Sequence, residues 1–198
     1  MDTYIIDPID MAQVETIFEH VVNSAEIELI TGHFATLINA HGCVLKDLDN
    51  ATAVFDSIPR YGLQIDALTI EAMMNVLATH RRTDLIPEYI AKMTFAGVHM
   101  TAYVVNSIIK GHAAVGDLPA AREVFESLVD PPTGVAAFFN HAPHEPSTAT
   151  NVHPMEPVYR EPSTWEAMVR AELGAGERER AIALLERLKT RFVTYSTP

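Results

Sequence analysis

The chain has 198 residues, of which 48% are hydrophobic, and it carries a formal net charge of −12 at pH 7. This apolar content predicts a sizeable core, built as one large domain or as a stack of small units. The charge excludes a generally basic, nucleic-acid-binding surface, so any RNA binding requires a local basic groove. Because Cys43 is the single cysteine, an internal disulfide and a zinc fold with several cysteines are also excluded.

The N-terminal segment MDTYIIDPID is acidic, whereas import and secretory signals carry positive charge, so we expect no targeting segment. No apolar run in the chain approaches the roughly 18 residues of a membrane-spanning helix. The next segment, MAQVETIFEHV, carries the apolar pair Ile17 and Phe18, which lies 37 residues before a similar pair, Val54 and Phe55. We therefore expect residues 1–30 to contain the second helix of a partial repeat and a connector, from a longer array or an unusual cap.

Apolar pairs recur along the chain with a nearly constant step. The first set lies at steps of 35, 35 and 60 residues: Val54 with Phe55, Tyr89 with Ile90, Val124 with Phe125, and Leu184 with Leu185. The second set lies at steps of 36, 35 and 60 residues: Leu37 with Ile38, Met73 with Met74, Ile108 with Ile109, and Met168 with Val169. Two independent markers thus predict a repeat of 35 residues, with roughly 25 additional residues before the last one.

Within each repeat the apolar positions advance by three and four, which predicts two short amphipathic helices. Glycine or a polar cluster marks the turn between them, and Gly62 and Gly97 are expected to end second helices. Because one hairpin cannot bury its own apolar stripe, neighbouring hairpins should stack. The predicted fold is all-α, an α-solenoid with three repeats in residues 31–130 and one in residues 162–198.

Residues 131–161 interrupt the pattern with proline, alanine and small polar residues, which predicts a long irregular insertion. Its histidines are interpreted as polar loop residues rather than metal ligands, because no cysteine or helical spacing accompanies them; they are His141, His144 and His153. The chain also lacks a glycine-rich phosphate loop, a nucleophile elbow and a paired acid motif. Cys43 beside His41 is expected to be a buried thiol, so we expect no catalysis, cofactor or metal.

Two stretches carry a resemblance to a known family. TLINAHG followed by DLDNATAVFDSIPRYGLQID in residues 36–66, and NSIIKGHAAVGDLPAAREVFESL in residues 106–128, resemble the pentatricopeptide repeat family. The single tryptophan, Trp165, does not fall into the tryptophan, glycine and tyrosine set of the related tetratricopeptide repeat. The resemblance implies single-stranded RNA binding in mitochondrial or other organellar RNA processing, stability or translation, with no small-molecule substrate. It implies a mitochondrial location, with the cytoplasm as the alternative.

In that family a residue in the first turn of the first helix and the last residue of the repeat read one base together, while an apolar residue wedges between bases. The resemblance assigns reading roles to Ala35 with Asp66, Glu71 with Thr101, Asn106 with the candidate Glu161, and Glu166 with Ser196. It assigns the wedge positions to Gly32, Leu68, Tyr103 and Ser163. Lys110 and Arg170, about one turn further along their helices, are expected to face phosphate.

The residue types also support an alternative. Among the first reading positions, only Asn106 is of a type that the family favours, and the carboxylates of Glu71 and Glu166 oppose binding of a polyanion. The alternative is a scaffold whose acidic groove or convex face docks a protein segment, with aromatic residues as anchors. The candidate anchors are Tyr103, Phe138, Phe139 and Trp165. Under either interpretation, we expect Ala35, Glu71, Asn106 and Glu166 to line one concave surface.

Overall fold

The computed structural model describes residues 11–24, 26–130 and 158–192. Within these ranges the chain forms nine α-helices and no strand, and the only bridge is an isolated one, so the all-α prediction is confirmed. The helices are α1 (Met11–Asn23), α2 (Thr31–Asn39), α3 (Leu48–Ser57), α4 (Ala67–Thr79), α5 (Ile86–Phe95), α6 (Ala102–Ala114), α7 (Leu118–Glu126), α8 (Pro162–Gly174) and α9 (Arg178–Phe192). None of the described helices is both long and apolar enough to cross a bilayer.

The helices pair into hairpins that stack in chain order. The first helices α2, α4, α6 and α8 contact one another in sequence, and each packs against its own second helix, namely α3, α5, α7 or α9. The first helices begin 36, 35 and 60 residues apart, at Thr31, Ala67, Ala102 and Pro162. The predicted stack of helical hairpins is therefore present, with α1 packing its Phe18 ring against Phe34 of α2 at a centroid distance of 5.2 Å.

The turn inside each hairpin has one residue in the left-handed region. Lys46, Arg81, Gly116 and Gly176 have φ values of 59°, 57°, 81° and 82°, and they occupy the same position in their hairpins. Glycine adopts this conformation without strain, whereas other L-residues are strained there by roughly 1–2 kcal/mol. The polar clusters that the sequence shows at Lys46 and Arg81 therefore form the same turn as the two glycines.

The first helix of the first hairpin continues as a five-residue π turn, Ala40–Val44. This turn brings Gly42 against α4, where a Cβ atom added to the glycine would lie 2.3 Å from Cγ2 of Val76. Contacts between real Cβ atoms and their neighbours are never this short. A glycine is therefore required here by the close approach of the two helices rather than by its backbone angles.

Small residues lie where the two helices of a hairpin meet, as the sequence predicts. Ala51, Ala121 and Ala181 are 0%, 0% and 1% exposed, and Ile86, which replaces them in the second hairpin, is also buried. The core of the C-terminal part forms around Trp165, which is 1% exposed and packs edge-on against Phe125 at a centroid distance of 5.0 Å. The expectation that Trp165 is a docking anchor is therefore wrong, because its ring is enclosed between hairpins.

Both ends of the predicted insertion meet at one point of the stack. Val129 N donates to Val158 O at 3.2 Å and Arg160 N donates to Val129 O at 2.9 Å. The buried Arg160 guanidinium also donates to Phe125 O at 2.9 Å and to Asp130 Oδ1 at 2.7 Å. The arginine thus supplies donors at the C-terminal end of α7, where a helix leaves carbonyl groups without intrahelical partners. The insertion's Phe138, Phe139, His141, His144 and His153 lie outside the described residues.

Candidate nucleic-acid interface

A cleft of about 350 Å³ lies between the first helices α4, α6 and α8. Its lining combines polar, charged and small side chains: Glu71, Asn75, Tyr103, Asn106, Ser107, Lys110, Ser163, Glu166, Ala167 and Arg170. Lys110 and Arg170 also border a second cavity of about 600 Å³ at the C-terminal ends of α6 and α8. The cleft and this cavity therefore share their two basic side chains.

The lining follows from helix periodicity. Tyr103, Asn106, Ser107 and Lys110 occupy positions i, i+3, i+4 and i+7 of α6, so they share one face. The corresponding residues of α8, Ser163, Glu166, Ala167 and Arg170, repeat that spacing on the neighbouring helix. The sequence analysis did not include Asn75, Ser107 or Ala167, although extending the same stripe from the reading positions would have identified all three.

The floor of the cleft is hydrogen bonded. Asn106 is 5% exposed, and its Nδ2 donates to Ser163 Oγ at 3.0 Å. Ser107 Oγ donates to Asn75 Oδ1 at 2.8 Å, which links α6 to α4. The Oδ1 atom of Asn106 is buried and has no hydrogen-bond partner among the described residues. A buried acceptor without a partner costs free energy, so a ligand that donates a hydrogen bond to it would restore that interaction.

The charged residues of the cleft alternate in sign. Burial raises the pKa of the Glu71 carboxyl, while the nearby Lys110 ammonium acts on that pKa in the opposite direction. On α8, Arg170 Nη2 lies 2.7 Å from Glu166 Oε1, and both side chains are exposed. Each basic side chain of the cleft is thus close to a carboxylate, which reduces the positive potential available to a phosphate.

The remaining predicted site residues lie outside this cleft. Ala35 is 4% exposed and belongs to the hydrophobic cluster of the first hairpins, so it does not share the cleft surface with Glu71, Asn106 and Glu166. The physical reason is packing, because the residue sits on the buried face of α2 and its side chain ends at Cβ. Ser196 lies outside the described residues.

The predicted closing residues act as helix caps in the structure. The Asp66 carboxylate accepts from Thr69 N at 2.9 Å at the start of α4, and Thr101 Oγ1 accepts from Val104 N at 3.3 Å at the start of α6. Asp66 also accepts from Thr31 Oγ1 at 2.6 Å, which joins the beginnings of α2 and α4. The third closing candidate, Glu161, is the N-cap residue of α8 but makes no side-chain cap hydrogen bond.

The two apolar wedge candidates are partly accessible. Leu68 is 38% exposed and Tyr103 is 42% exposed, each near the N-terminal end of its first helix. The wedge position of α2 holds Gly32, whose missing Cβ would contact the Ile30 side chain at 3.5 Å and Leu68 at 3.9 Å. Apolar surface is therefore available at these helix starts, and Ile30 occupies the space beside Gly32.

The described residues contain no group of three or more histidine, cysteine, aspartate or glutamate side chains placed to hold a metal ion. Cys43 is partly buried in the π turn, where its Sγ lies 3.7 Å from Asn39 Oδ1 and 3.6 Å from Thr79 Oγ1. The thiol is thus placed against polar groups of α2 and α4 rather than in the cleft.

Stacked helical hairpins whose first helices share a polar cleft define a helical-repeat binding protein of the α-solenoid class. A family model described as pentatricopeptide repeat-containing protein matches residues 10–128, and the chain belongs to this family. The chain is 25% identical over 196 residues to pentatricopeptide repeat-containing protein 5, mitochondrial, of Schizosaccharomyces pombe, covering 96% of this chain and 14% of that protein. It is 30% identical over 80 residues to pentatricopeptide repeat-containing protein At3g21470 of Arabidopsis thaliana, covering 40% of this chain and 15% of that protein.

A solved structure supports the fold. The crystal structure of nuclear proteinaceous RNase P 2 (PRORP2) from A. thaliana superimposes with a TM-score of 0.51 at 13% sequence identity. The superposition covers 91% of this chain and 35% of that one. At this identity the likeness shows the helical-repeat fold alone. The chain spans about one seventh of the length of the two curated relatives.

Proposed function

We propose that this chain is a non-catalytic module that binds single-stranded RNA through the cleft between α4, α6 and α8. The observation that carries the proposal is the convergence, in a member of this family, of equivalent polar residues from three successive first helices: Glu71, Asn106 and Glu166. The accessible Tyr103 ring supplies a surface on which a base can stack. A mitochondrial location and a role in RNA processing, stability or translation are part of the proposal, supported by the name of the fission yeast relative.

The direct test is fluorescence anisotropy with labelled mixed-sequence RNA at low and moderate salt. Lys110 and Arg170 are the cations of the cleft, so Lys110→Ala with Arg170→Ala should weaken binding. For every phosphate interaction that the substitutions remove, the slope of log affinity against log salt should fall by roughly 0.7. Arg178→Ala with Arg180→Ala on α9 removes the same charge at exposed positions outside the cleft and is the matched control.

RNA that does not bind even at low salt would contradict the proposal. Equal weakening in the cleft variant and the α9 control would show that the affinity comes from overall charge rather than from the cleft.

The acidic residues of the cleft favour a second candidate function, the docking of a protein segment with basic side chains. Glu71 and Glu166 line the same cleft, and the whole chain carries a net charge of −12. Such a surface attracts arginine- and lysine-rich segments and repels phosphate. Tyr103 remains available as an anchor under this interpretation, whereas Trp165 is buried.

One double variant separates the two functions because it shifts them in opposite directions. Glu71→Gln with Glu166→Gln removes two negative charges and releases Arg170 from its ion pair. RNA affinity should then rise several-fold at low salt, whereas affinity for a labelled arginine-rich peptide should fall. A rise for the peptide and a fall for RNA would contradict both assignments of the cleft.

A further inference from the structure

Asn106 and Ser163 form a contact that spans the predicted insertion. Asn106 lies on α6 and Ser163 in the first turn of α8, 57 residues later, yet Asn106 Nδ2 donates to Ser163 Oγ at 3.0 Å. At the previous step of the stack, the equivalent positions hold Glu71 and Tyr103. The serine therefore makes a hydrogen bond that is specific to this junction.

The contact leaves one polar atom of Asn106 for a ligand. An asparagine side chain offers an amide nitrogen as donor and a carbonyl oxygen as acceptor. Here the nitrogen is held by Ser163, while Oδ1 is buried and has no partner among the described residues. Since Asn106 is 5% exposed and lines the cleft, the amide cannot turn freely without losing the bond to Ser163.

We propose that Ser163 is a positioning residue that holds the Asn106 amide so that its carbonyl oxygen, and not its nitrogen, meets the bound base. This inference rests on the proposed RNA-binding function and narrows the ligand at this position. The cleft would favour a base that donates an N–H group to Asn106 Oδ1, because a base without that donor leaves a buried acceptor unpaired.

Oligouridine and oligo(3-methyluridine) of equal length test the proposal, since uridine donates from N3 and its methylated form does not. With the full chain at fixed salt, we expect oligouridine to bind about ten-fold more tightly, the effect of one buried hydrogen bond. Asn106→Ala should bring this ratio close to one. Ser163→Ala should also lower the ratio, because the released amide can present its nitrogen, while oligouridine affinity changes less than three-fold.

Two controls separate positioning from a general structural effect. Ser163→Thr keeps the hydroxyl and should retain the ratio of the unmodified chain. Ser127→Ala removes an exposed serine whose Oγ bonds to Val124 O on α7, and it should leave the ratio unchanged. Thermal unfolding of each variant followed by circular dichroism verifies that the helical stack is intact.

The outcomes are distinct. A ratio near one in the unmodified chain, or a Ser163→Ala variant that keeps the full ratio, overturns the role of Ser163 while RNA binding itself stands. Absence of binding to both oligonucleotides at low salt overturns the proposed function, and the positioning role with it.

Discussion

Glu71 is the residue of the cleft whose ionisation depends most clearly on its surroundings. Burial raises the pKa of its carboxyl, and the charges that line the same cleft are Lys110 on α6 and Glu166 and Arg170 on α8. A raised pKa means that the folded chain holds this proton more strongly than the unfolded chain does. The stabilisation from the protonated form is therefore complete below the unfolded pKa and is lost as pH rises through the folded pKa.

This titration predicts a pH dependence of RNA binding. As pH falls from 7 to 5, protonation of Glu71 removes one negative charge from the cleft, so affinity for oligouridine should rise several-fold. Glu71→Gln should bind more tightly at pH 7 and show a smaller change with pH. Anisotropy titrations at constant ionic strength provide the measurement. Identical pH profiles for the two proteins would mean that Glu71 does not titrate near the RNA.

Gly42 gives a stability prediction at the same scale. A Cβ at this position would lie 2.3 Å from Cγ2 and 2.5 Å from Cγ1 of Val76, so Gly42→Ala should destabilise the chain by about 1–3 kcal/mol. Gly174→Ala is the matched control, because a Cβ there meets no atom within 4 Å and alanine favours the helix. Urea unfolding measures both, and adding Val76→Ala to Gly42→Ala should recover part of the stability. Equal stability of the two alanine variants would argue against the close approach of α2 and α4.

Individual side chains show how far sequence reasoning extends. The equivalence of Glu71, Asn106 and Glu166 followed from the spacing of apolar pairs, and the structure places all three at one cleft. The same register did not predict that Ala35 is buried, because burial depends on how closely neighbouring helices pack. Trp165 is a similar case, since its enclosure by Phe125 involves a residue 40 positions earlier in the chain.

At the scale of elements, the hairpin turns provide the clearest test of repeat equivalence. Arg81 has φ 57° where the third hairpin has Gly116 with φ 81°. Arg81→Gly should relieve left-handed strain and stabilise the chain by about 1 kcal/mol, whereas Gly116→Ala should destabilise it by a similar amount. Thermal melts of the two single variants provide the comparison. If both substitutions shifted the melting temperature in the same direction, the two turns would not be equivalent.

The elements themselves were predicted well where one hairpin contains all the information. Apolar positions spaced by three and four predicted paired helices, and the glycines at the second-helix ends, Gly62 and Gly97, have positive φ as capping residues should. The π turn Ala40–Val44 was not predicted, because it depends on the fit of Gly42 against α4. The short 3-10 segment Thr83–Leu85 before α5 likewise has no local signal, although the proline after Ile86 suits a helix start.

At the scale of the whole molecule, one ion pair holds the last hairpin to the preceding one. Arg122 on α7 donates from Nε and Nη2 to the two carboxylate oxygens of Glu172 on α8, each at 2.8 Å. The Glu172 side chain is 3% exposed and that of Arg122 is 27% exposed. The pair therefore links elements on either side of the predicted insertion, and Glu172 has little access to solvent.

Glu172→Gln should destabilise the chain by about 2 kcal/mol, because it leaves a guanidinium beside a buried neutral amide. Glu166→Gln breaks a pair whose side chains are both well exposed and should change stability by less than about 0.5 kcal/mol. Urea unfolding with a fixed m-value tests the comparison. A Glu172→Gln variant as stable as the Glu166→Gln control would show that the pair does not hold the two hairpins together.

The backbone pairing of Val129 with Tyr159 separates the length of one segment from the geometry of the rest. The chain departs from the stack and rejoins it at adjacent points, so the polypeptide between them forms a closed loop. Loop closure becomes costlier only slowly with size, by about 0.6 kcal/mol for each doubling of length. An unrelated domain whose two ends lie side by side, such as a circularly permuted fluorescent reporter, could accordingly be spliced in at this point while the neighbouring hairpins keep their alignment.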